Sequence, residues 1–473
     1  MAFLAAHWPW LLLVVYGAVL VALAPSSRDE GGFYAGRTAA GRPPSLGYLF
    51  ASIFIAWIFA KSVTNAANLG ATFGLPGAVA YASYWLSIPV AGLVIVRIRR
   101  TTGAGSLAEW LTSRFGRAAT LTFLLAVMIR LYNEVWSNTA VVGSYFGEKG
   151  TTAYYAGALA FTGFTLLYTL KGGLRSSIWT DAIHAAVFAA FLALTTFLVL
   201  PRASGGGGGV ARLLGSGSWT LGGGVDLLLV GVLQSLSYPF HDPVLTDRGF
   251  LADEKTTLRA YFLAGGLGAL AIVLFGLVGV SAFLSGTPVH DDAPRVVASS
   301  LGIGALVLVN VVMLTSAGST VDSTFSAVAK AVNVDLAGAR RERMGGLRAG
   351  RIAMVAAAVL GNLPLFAGTA ILKATTISGT MVMGLAPVFL LGLFVRRAPP
   401  LSFHLAFWTG IALGLVDVFG LVPPQLTIGS GSYAALLGVN AWGLLLASGG
   451  FVLPVLAQRY AERRAARSAS LAD

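Results

Sequence analysis

Long apolar stretches separated by short polar segments recur along the whole chain. A helix needs about 20 mostly apolar residues to cross a bilayer. We identify thirteen such stretches, which begin near residues 8, 46, 77, 119, 153, 178, 225, 258, 298, 350, 374, 401 and 432. The first is interpreted as a retained helix and not as a signal peptide, because no Lys or Arg precedes it. The pattern therefore predicts an all-α polytopic membrane protein with about 13 transmembrane helices.

The amino-acid composition agrees with a membrane protein and excludes other classes of protein. Of 473 residues, 56% are hydrophobic and only 11% are charged, whereas soluble domains carry about 25% charged residues. A soluble globular enzyme and a disordered chain are both excluded. The chain has no cysteine, which excludes disulfides and thiol catalysis. Since no metal-ligand spacing, nucleotide loop or nucleophile–base set is visible, we predict neither an enzyme nor a cofactor.

Basic residues indicate the orientation in the membrane. If the N-terminus is outside, 24 of the 32 Lys and Arg residues fall on one side and four on the other. Cytoplasmic loops carry the excess of such residues. We therefore predict a multi-pass protein of the inner or plasma membrane with a cytoplasmic C-terminus. The net charge of +13 is then explained by orientation and by contact with anionic lipid, and nucleic acid is not a predicted partner.

Two of the predicted spans are interrupted by polar residues and prolines. The second contains Lys61 and Ser62, and the seventh contains Tyr238 and His241 between Ser235 and Pro243. Secondary transporters often repeat a helical unit in inverted topology and place their site where the first helix of each repeat is broken. The two interrupted spans lie five helices apart. This spacing favours an inverted repeat over the alternative that both interruptions are ordinary proline kinks.

The interruptions divide the chain into five predicted segments. These are an extra N-terminal helix with a cytoplasmic loop (1–45), a first five-helix repeat (46–200), a glycine-rich extracellular loop (201–224), a second five-helix repeat (225–396), and two extra helices with a basic cytoplasmic tail (397–473). No linker is long enough to hold another folded domain.

The ninth span has an unusually polar face. Ser316, Ser319, Thr320 and Ser323 follow the spacing i, i+3, i+4 and i+7, which places their hydroxyls on one side of a helix. Hydroxyls together with exposed carbonyls suit a small hard cation. Small polar residues also permit close helix packing. Asp322 favours the functional interpretation, because packing does not require a carboxylate.

Ionisable residues inside spans are functional hypotheses by default. Lys61 either meets an anionic substrate group or replaces a second sodium, or it forms an internal ion pair with Asp322, Asp242 or Glu134. We weigh these interpretations equally. Arg130 lies four residues before Glu134, a spacing typical of a structural pair on one helix face.

The histidines are interpreted by their neighbours. His241 is either the carrier of a coupling proton or a hydrogen-bonded gate residue beside Asp242, and the gate is favoured. His184 and Asp417 have apolar neighbours near predicted span ends, so we expect both to lie at the membrane interface.

Short motifs over residues 33–420 resemble the sodium:solute symporter family in their order and spacing. The motifs are FYAGR (33–37), SLAEWL (106–111), RFG (114–116), YTLKGGL (168–174), IWTD (178–181), DL (335–336) and LGLF with RR (391–394, 396–397). The resemblance implies a leucine-transporter-type inverted repeat of five plus five helices, with one extra helix before it and two after.

The resemblance also implies site residues at matching positions. It implies a sodium site made of the Ser319 and Thr320 hydroxyls, the Ile55 and Ile58 carbonyls, and Ser316. Asp181 matches a family aspartate near the inward sodium-exit route. Trp57 stands where relatives often have Asn or Asp, and His241 and Asp242 stand where sugar carriers have Asn and Gln. These departures argue against sugar or proline as the solute.

Together these features predict a symporter that uses an inward sodium gradient to accumulate a small organic solute. Candidate substrate contacts are Lys61, Ser62, Tyr238, His241 and Asp242. The nearest alternative is coupling to protons through Asp322 or His241. A transporter-like sensor module is a further alternative, although no output domain follows the last predicted span. An intramembrane enzyme is the least favoured.

Overall fold

The computed structural model describes residues 2–204, 209–336, 346–366, 379–395 and 397–469. Regular secondary structure in these ranges is helical. By length and apolar composition, eight of the described helices suffice to cross a membrane, or nine if one bent pair is a single span. An all-α polytopic architecture is therefore confirmed.

The helices of the first half are α1 (Ala2–Leu23), α2 (Glu30–Ala35), α3 (Leu46–Ala56), α4 (Ala60–Phe73), α5 (Leu75–Ala82), α6 (Ser87–Thr102), α7 (Leu107–Gly143), α8 (Thr152–Gly172), α9 (Leu174–Ser204) and α10 (Gly209–Leu214). Those of the second half are α11 (Val225–Gln234), α12 (Pro243–Thr246), α13 (Glu254–Ser285), α14 (Ala293–Leu301), α15 (Ile303–Lys330), α16 (Gly346–Gly361), α17 (Leu385–Leu390), α18 (Pro400–Val418) and α19 (Ala434–Ala469).

The bent pair is α3 and α4, whose axes differ by 57° across residues 57–59. We call residues 57–59 the first break. It contains neither Pro nor Gly, and its β-branched and aromatic residues have modest helix propensity. The Asn138 side chain from α7 accepts a hydrogen bond from the Ala60 N–H at 2.9 Å. The first amide of α4 is thus satisfied by a neighbouring helix, which holds the chain in its broken form.

A second break separates α11 from α12 and covers residues 235–242. Proline has no N–H to donate, so Pro239 and Pro243 each interrupt the helical ladder. Pro243 occupies the first position of α12, and the Asp242 side chain caps that helix by accepting from the Val244 N–H at 3.0 Å. The two prolines and the capping Asp242 therefore favour a discontinuous span, as predicted.

Two features of the predicted layout are changed or lie outside the described ranges. The segment predicted as a loop over 201–224 contains helix α10, and its Gly217 forms an isolated antiparallel backbone bridge with Gly74. The span predicted near residue 374 falls partly on residues 367–378, which lie outside the described residues. The count of thirteen spans and the division into two five-helix repeats stay predictions.

Candidate functional site

Four buried charged side chains meet between the two breaks, and we call them the charge network: Lys61, Arg130, Glu134 and Asp242. Lys61 lies in the first turn of α4, Arg130 and Glu134 lie one turn apart on α7, and Asp242 precedes α12. Lys61 and Arg130 both form ion pairs with Glu134, and Arg130 Nη2 lies 3.0 Å from Asp242 Oδ2. Every side chain is at most 1% exposed, so two positive and two negative groups balance one another away from water.

Asp242 connects the two breaks. Its Oδ2 accepts hydrogen bonds from Trp57 Nε1 at 2.8 Å and from Arg130, while its Oδ1 caps α12. Trp57 belongs to the first break, so one carboxylate touches both interrupted spans and α7. Any movement that separates the breaks has to release Asp242 from Trp57.

Asn138 extends the network on α7. Its Nδ2 donates to Glu134 Oε2 at 2.9 Å, while its Oδ1 accepts from the Ala60 N–H. Glu134 is therefore fixed by a neutral donor on one oxygen and by two cations on the other. This arrangement orients the carboxylate towards the first break.

Aromatic rings surround the cations of the network. The guanidinium carbon of Arg130 lies 5.2 Å from the ring centroids of both Phe59 and Tyr238, and Lys61 Nζ lies 5.2 Å from Phe59. Such distances give attractive cation–π interactions. The Nε atom of Arg130 is buried and has no hydrogen-bond partner among the described residues. One strong donor of the network is thus left unused.

A second cluster of buried polar side chains surrounds Asp181 on α9. Asp322 of α15 lies close to Asp181, and we call these two residues the carboxylate pair. Asp181 accepts hydrogen bonds from Ser52 at 2.5 Å and from Ser319, and it forms an ion pair with Arg248 at 3.1 Å. Arg248 also donates to Ser52 at 2.6 Å and to Ser323 at 2.7 Å. One guanidinium therefore joins α3, α9 and α15 to the segment after α12.

Asp322 on α15 has a different environment. Its oxygens accept hydrogen bonds from Ser177 at 2.7 Å, Tyr168 at 2.8 Å, Thr180 at 3.0 Å and Ser323 at 3.2 Å. All four donors are neutral hydroxyl groups. This surrounding differs from that of Asp181, whose charge is offset by a neighbouring cation.

His184 lies beside the carboxylate pair. One ligand atom each of Asp181, His184 and Asp322 lie within 4.8 Å of one another, and all three residues are buried. The Nε2 atom of His184 lies 2.8 Å from the Tyr16 hydroxyl. Two carboxylates and an imidazole at this separation are chemically suited to hold a cation or a proton.

The residues implied for sodium lie where α15 meets the first break. The Thr320 hydroxyl donates to the Ala56 carbonyl at 3.3 Å and to the Ser316 carbonyl at 3.0 Å. The Ile55 carbonyl accepts from the Ile58 N–H at 3.0 Å, so the chain turns tightly at this point. The hydroxyl face of α15 therefore contacts the carbonyl of Ala56, the last residue of α3 before the first break.

A model of the sodium:solute symporter family matches residues 38–214, a range that includes the first break, the charge-network residues of α4 and α7, and Asp181. Over these residues, which are less than half of the chain, the chain is similar to the sodium:solute symporter family. The resemblance stated from the sequence motifs is thereby confirmed.

Two curated relatives match part of the chain. The sodium/proline symporter of Escherichia coli is 30% identical over 155 residues, which are 28% of this chain and 30% of the relative. The urea-proton symporter DUR3 of Oryza sativa is 29% identical over 171 residues, which are 35% of this chain and 23% of the relative. The matches span less than a third of either relative, and both relatives are transporters and not enzymes.

A solved structure matches nearly the whole chain. A Na+-coupled sialic acid symporter, in a substrate-bound outward-open state, superposes with a TM-score of 0.73. The match covers 94% of this chain and 97% of the other at 16% sequence identity. At this identity the likeness establishes a shared fold.

The structure brings only some of the predicted substrate contacts together. Tyr238 and Asp242 join Lys61 at the charge network, and His241 Nδ1 lies 2.6 Å from the Tyr238 carbonyl oxygen. The Ser62 hydroxyl instead lies 3.2 Å from the Tyr81 hydroxyl. Among the three partners considered for Lys61, the structure places Glu134 in contact.

Two sequence interpretations are wrong. His184 was expected at the membrane interface, but it is 1% exposed and packs against the carboxylate pair. Arg248 is one of the 24 basic residues that the orientation prediction assigns to cytoplasmic loops, but its side chain is also 1% exposed and forms an ion pair with Asp181. Both residues lie near span ends in the sequence, and the folded chain turns their side chains inwards.

Proposed function

We propose that the chain is a secondary transporter that uses an inward sodium gradient to accumulate a small organic solute across the inner or plasma membrane. The observation that supports this most directly is the contact between α15 and the end of α3 next to the first break, where the Thr320 hydroxyl donates to the Ala56 carbonyl. Unwound backbone carbonyls of broken helices are the groups that coordinate Na+ in transporters of this architecture.

The proposed sodium site takes oxygen ligands from two elements. The ligands are the carbonyls of Ile55, Ile58 and Ser316 and the hydroxyls of Ser319 and Thr320. An ion held there joins the first break to α15, so its affinity depends on whether these elements are in contact. Sodium can therefore bias the conformational equilibrium, because it binds one arrangement better than the other.

Asp181 lies beside the proposed sodium site, on the proposed exit route of the ion. It accepts a hydrogen bond from Ser319, and Arg248 on its other side links it to the segment after α12. We infer that the ion leaves the proposed site past Asp181 when Arg248 withdraws. The predicted orientation, with the C-terminus in the cytoplasm, makes this the inward path.

The solute is proposed to bind between the two breaks. Lys61, Ser62, Tyr238, His241 and Asp242 are the proposed contacts, and the charge network lies at the centre of this region. Because Asp242 touches Trp57 across the breaks, solute that enters here changes the same contacts that hold the two interrupted spans together.

Removing both proposed hydroxyl ligands is expected to abolish stabilisation by sodium. In the wild type, a bound ion at 100 times its Kd raises the free energy of unfolding by ~2.7 kcal/mol. The variant Ser319→Ala/Thr320→Ala loses two of five ligands and should show the same melting temperature in NaCl and in KCl. Thermal unfolding of the purified protein in detergent measures this.

Thr315→Ala is the matched control. Thr315 lies on the same helix, and among the described residues its hydroxyl donates only to carbonyls of its own helix, at 2.8 Å and 3.0 Å. This variant should keep the full sodium response. A double variant that responds to sodium like the wild type would place the ion elsewhere.

Coupling to protons is the second candidate, and the surroundings of Asp322 favour it. A buried carboxyl group whose four donors are neutral hydroxyls has no positive partner among them to hold it ionised. Uptake into proteoliposomes separates the candidates. Transport that persists without sodium, collapses with the pH gradient and is lost in Asp322→Asn would replace sodium with a proton.

A further inference from the structure

The charge network has an unusual composition for a binding region. It contains two cations and two anions, each at most 1% exposed, and its members come from α4, α7 and the second break. Removing one partner from a buried ion pair is strongly destabilising, since the other charge is left without compensation. A solute can therefore enter the network at low cost only if it replaces the charges that it displaces.

The network also has an unused donor. Arg130 gives one nitrogen to Glu134 and another to Asp242, while its buried Nε–H has no partner among the described residues. Buried polar groups are nearly always hydrogen-bonded, so an unpaired guanidinium N–H needs an explanation. An oxygen of a bound carboxylate would satisfy it, and carboxylate is the group that the planar guanidinium binds best.

The rings of Phe59 and Tyr238 lie next to the same site. Both are within 5.2 Å of the Arg130 guanidinium carbon. Aromatic faces also attract ammonium groups of ligands. When a carboxylate draws Arg130 away from Glu134 or Asp242, a ligand ammonium can take its place beside the freed carboxylate and the rings.

We propose that the transported solute is a zwitterion, with one carboxylate and one ammonium group, as in amino acids and betaines. The carboxylate binds Arg130 and Lys61, and the ammonium binds Glu134 or Asp242, so the network stays neutral. A singly charged solute leaves one buried charge in excess. An uncharged solute separates the ion pairs and supplies no charge to replace either member. This inference rests on the proposed function and specifies its solute.

Ligand-dependent thermal unfolding of the full chain tests the proposal. The probes are the common L-amino acids and glycine betaine, each in NaCl and in KCl. For every probe that stabilises the protein, its methyl ester and, where it has an N–H group, its N-acetyl derivative serve as singly charged analogues. Urea, glucose and lactate represent uncharged and anionic solutes. We expect stabilisation by at least one zwitterion and a response to its singly charged analogues that is weaker by roughly tenfold or more in affinity.

The outcomes separate this proposal from the proposed function. Stabilisation by sodium without any response to the zwitterions, or with a stronger response to an uncharged or singly charged probe, overturns the zwitterion proposal and leaves sodium coupling in place. If sodium does not stabilise the protein in thermal unfolding, sodium coupling is overturned, and the proposed function is overturned with it.

Arg130→Lys tests whether the network binds solute or only holds helices together. Lysine keeps the charge but lacks the Nε–H and the planar fork. We expect affinity for the stabilising zwitterion to fall roughly tenfold or more, while the sodium response stays unchanged. Arg97→Lys, at an exposed position on α6, should alter neither. Equal affinity in Arg130→Lys and wild type would assign the network a purely structural role.

Discussion

Replacing Glu134 with Gln is expected to lower the free energy of unfolding by about 3–5 kcal/mol. Glu134 is fully buried and forms ion pairs with both Lys61 and Arg130. The amide has nearly the same shape but no charge, so two buried cations would share the single carboxylate of Asp242. Thermal or denaturant unfolding of the purified protein in detergent measures the loss.

A charge-restoring double variant separates electrostatics from packing. Lys61→Met/Glu134→Gln leaves Arg130 paired with Asp242, so the network is neutral again. We expect this variant to recover roughly 1–3 kcal/mol relative to Glu134→Gln alone. Glu148→Gln, at an exposed position, should change stability by less than about 0.5 kcal/mol. If the two effects at positions 61 and 134 simply add, the cost does not arise from the unbalanced charge.

The charge network was only partly predictable from the sequence. An ionisable residue in an apolar stretch is visible at once, and Lys61 and Asp242 were selected on that basis. Their partners were not determined, because ion pairs between spans depend on helix rotation, which sequence periodicity leaves open. The spacing of Arg130 and Glu134 indicated a pair within one helix. It carried no signal that the pair extends to both breaks.

The environment of Asp181 shows a different limit of prediction from the sequence. The family motif places Asp181 near the sodium path, whereas the positive-inside count assigns Arg248 to a cytoplasmic loop. The positive-inside rule treats each Arg near a span end as a membrane-surface residue. Arg248 follows a four-residue helix that turns its side chain back into the protein, where it meets Asp181. The adjacent prolines of the second break were the available signal for such a turn.

The interruption of the second span is predicted from its polar residues, such as Lys61 and Ser62, whereas only the family resemblance places the break beside Ile55 and Ile58. Residues 57–59 include neither Pro nor Gly, so helix-breaking composition gives no indication of the bend. The break depends on Asn138 and Asp242, which bind the Ala60 amide and the Trp57 indole from other elements. Tertiary contacts of this kind override local propensity.

Substituting Gly279 with Ala is expected to cost about 3 kcal/mol of stability or more. Gly279 lies on α13 against α4, and a Cβ atom there would come 1.7 Å from the Ala67 carbonyl oxygen. Because the obstacle is backbone, no side-chain rotation relieves the clash, and α4 has to move away from α13. Such movement also displaces Lys61, which α4 carries into the charge network. Thermal unfolding and the sodium response of the same sample report both effects.

Gly266→Ala is the matched control on the same helix. Nothing lies within 4 Å of a Cβ atom at Gly266, and the residue is exposed. Alanine is a better helix former than glycine by about 1 kcal/mol, so this variant should be as stable as the wild type or slightly more stable. A loss of similar size in both variants would mean that α13 needs glycine for a reason other than its approach to α4. A loss confined to Gly279→Ala would establish that the position of the broken span is set by backbone contact between α4 and α13. The geometry of the charge network then depends on that contact as much as on its own ion pairs.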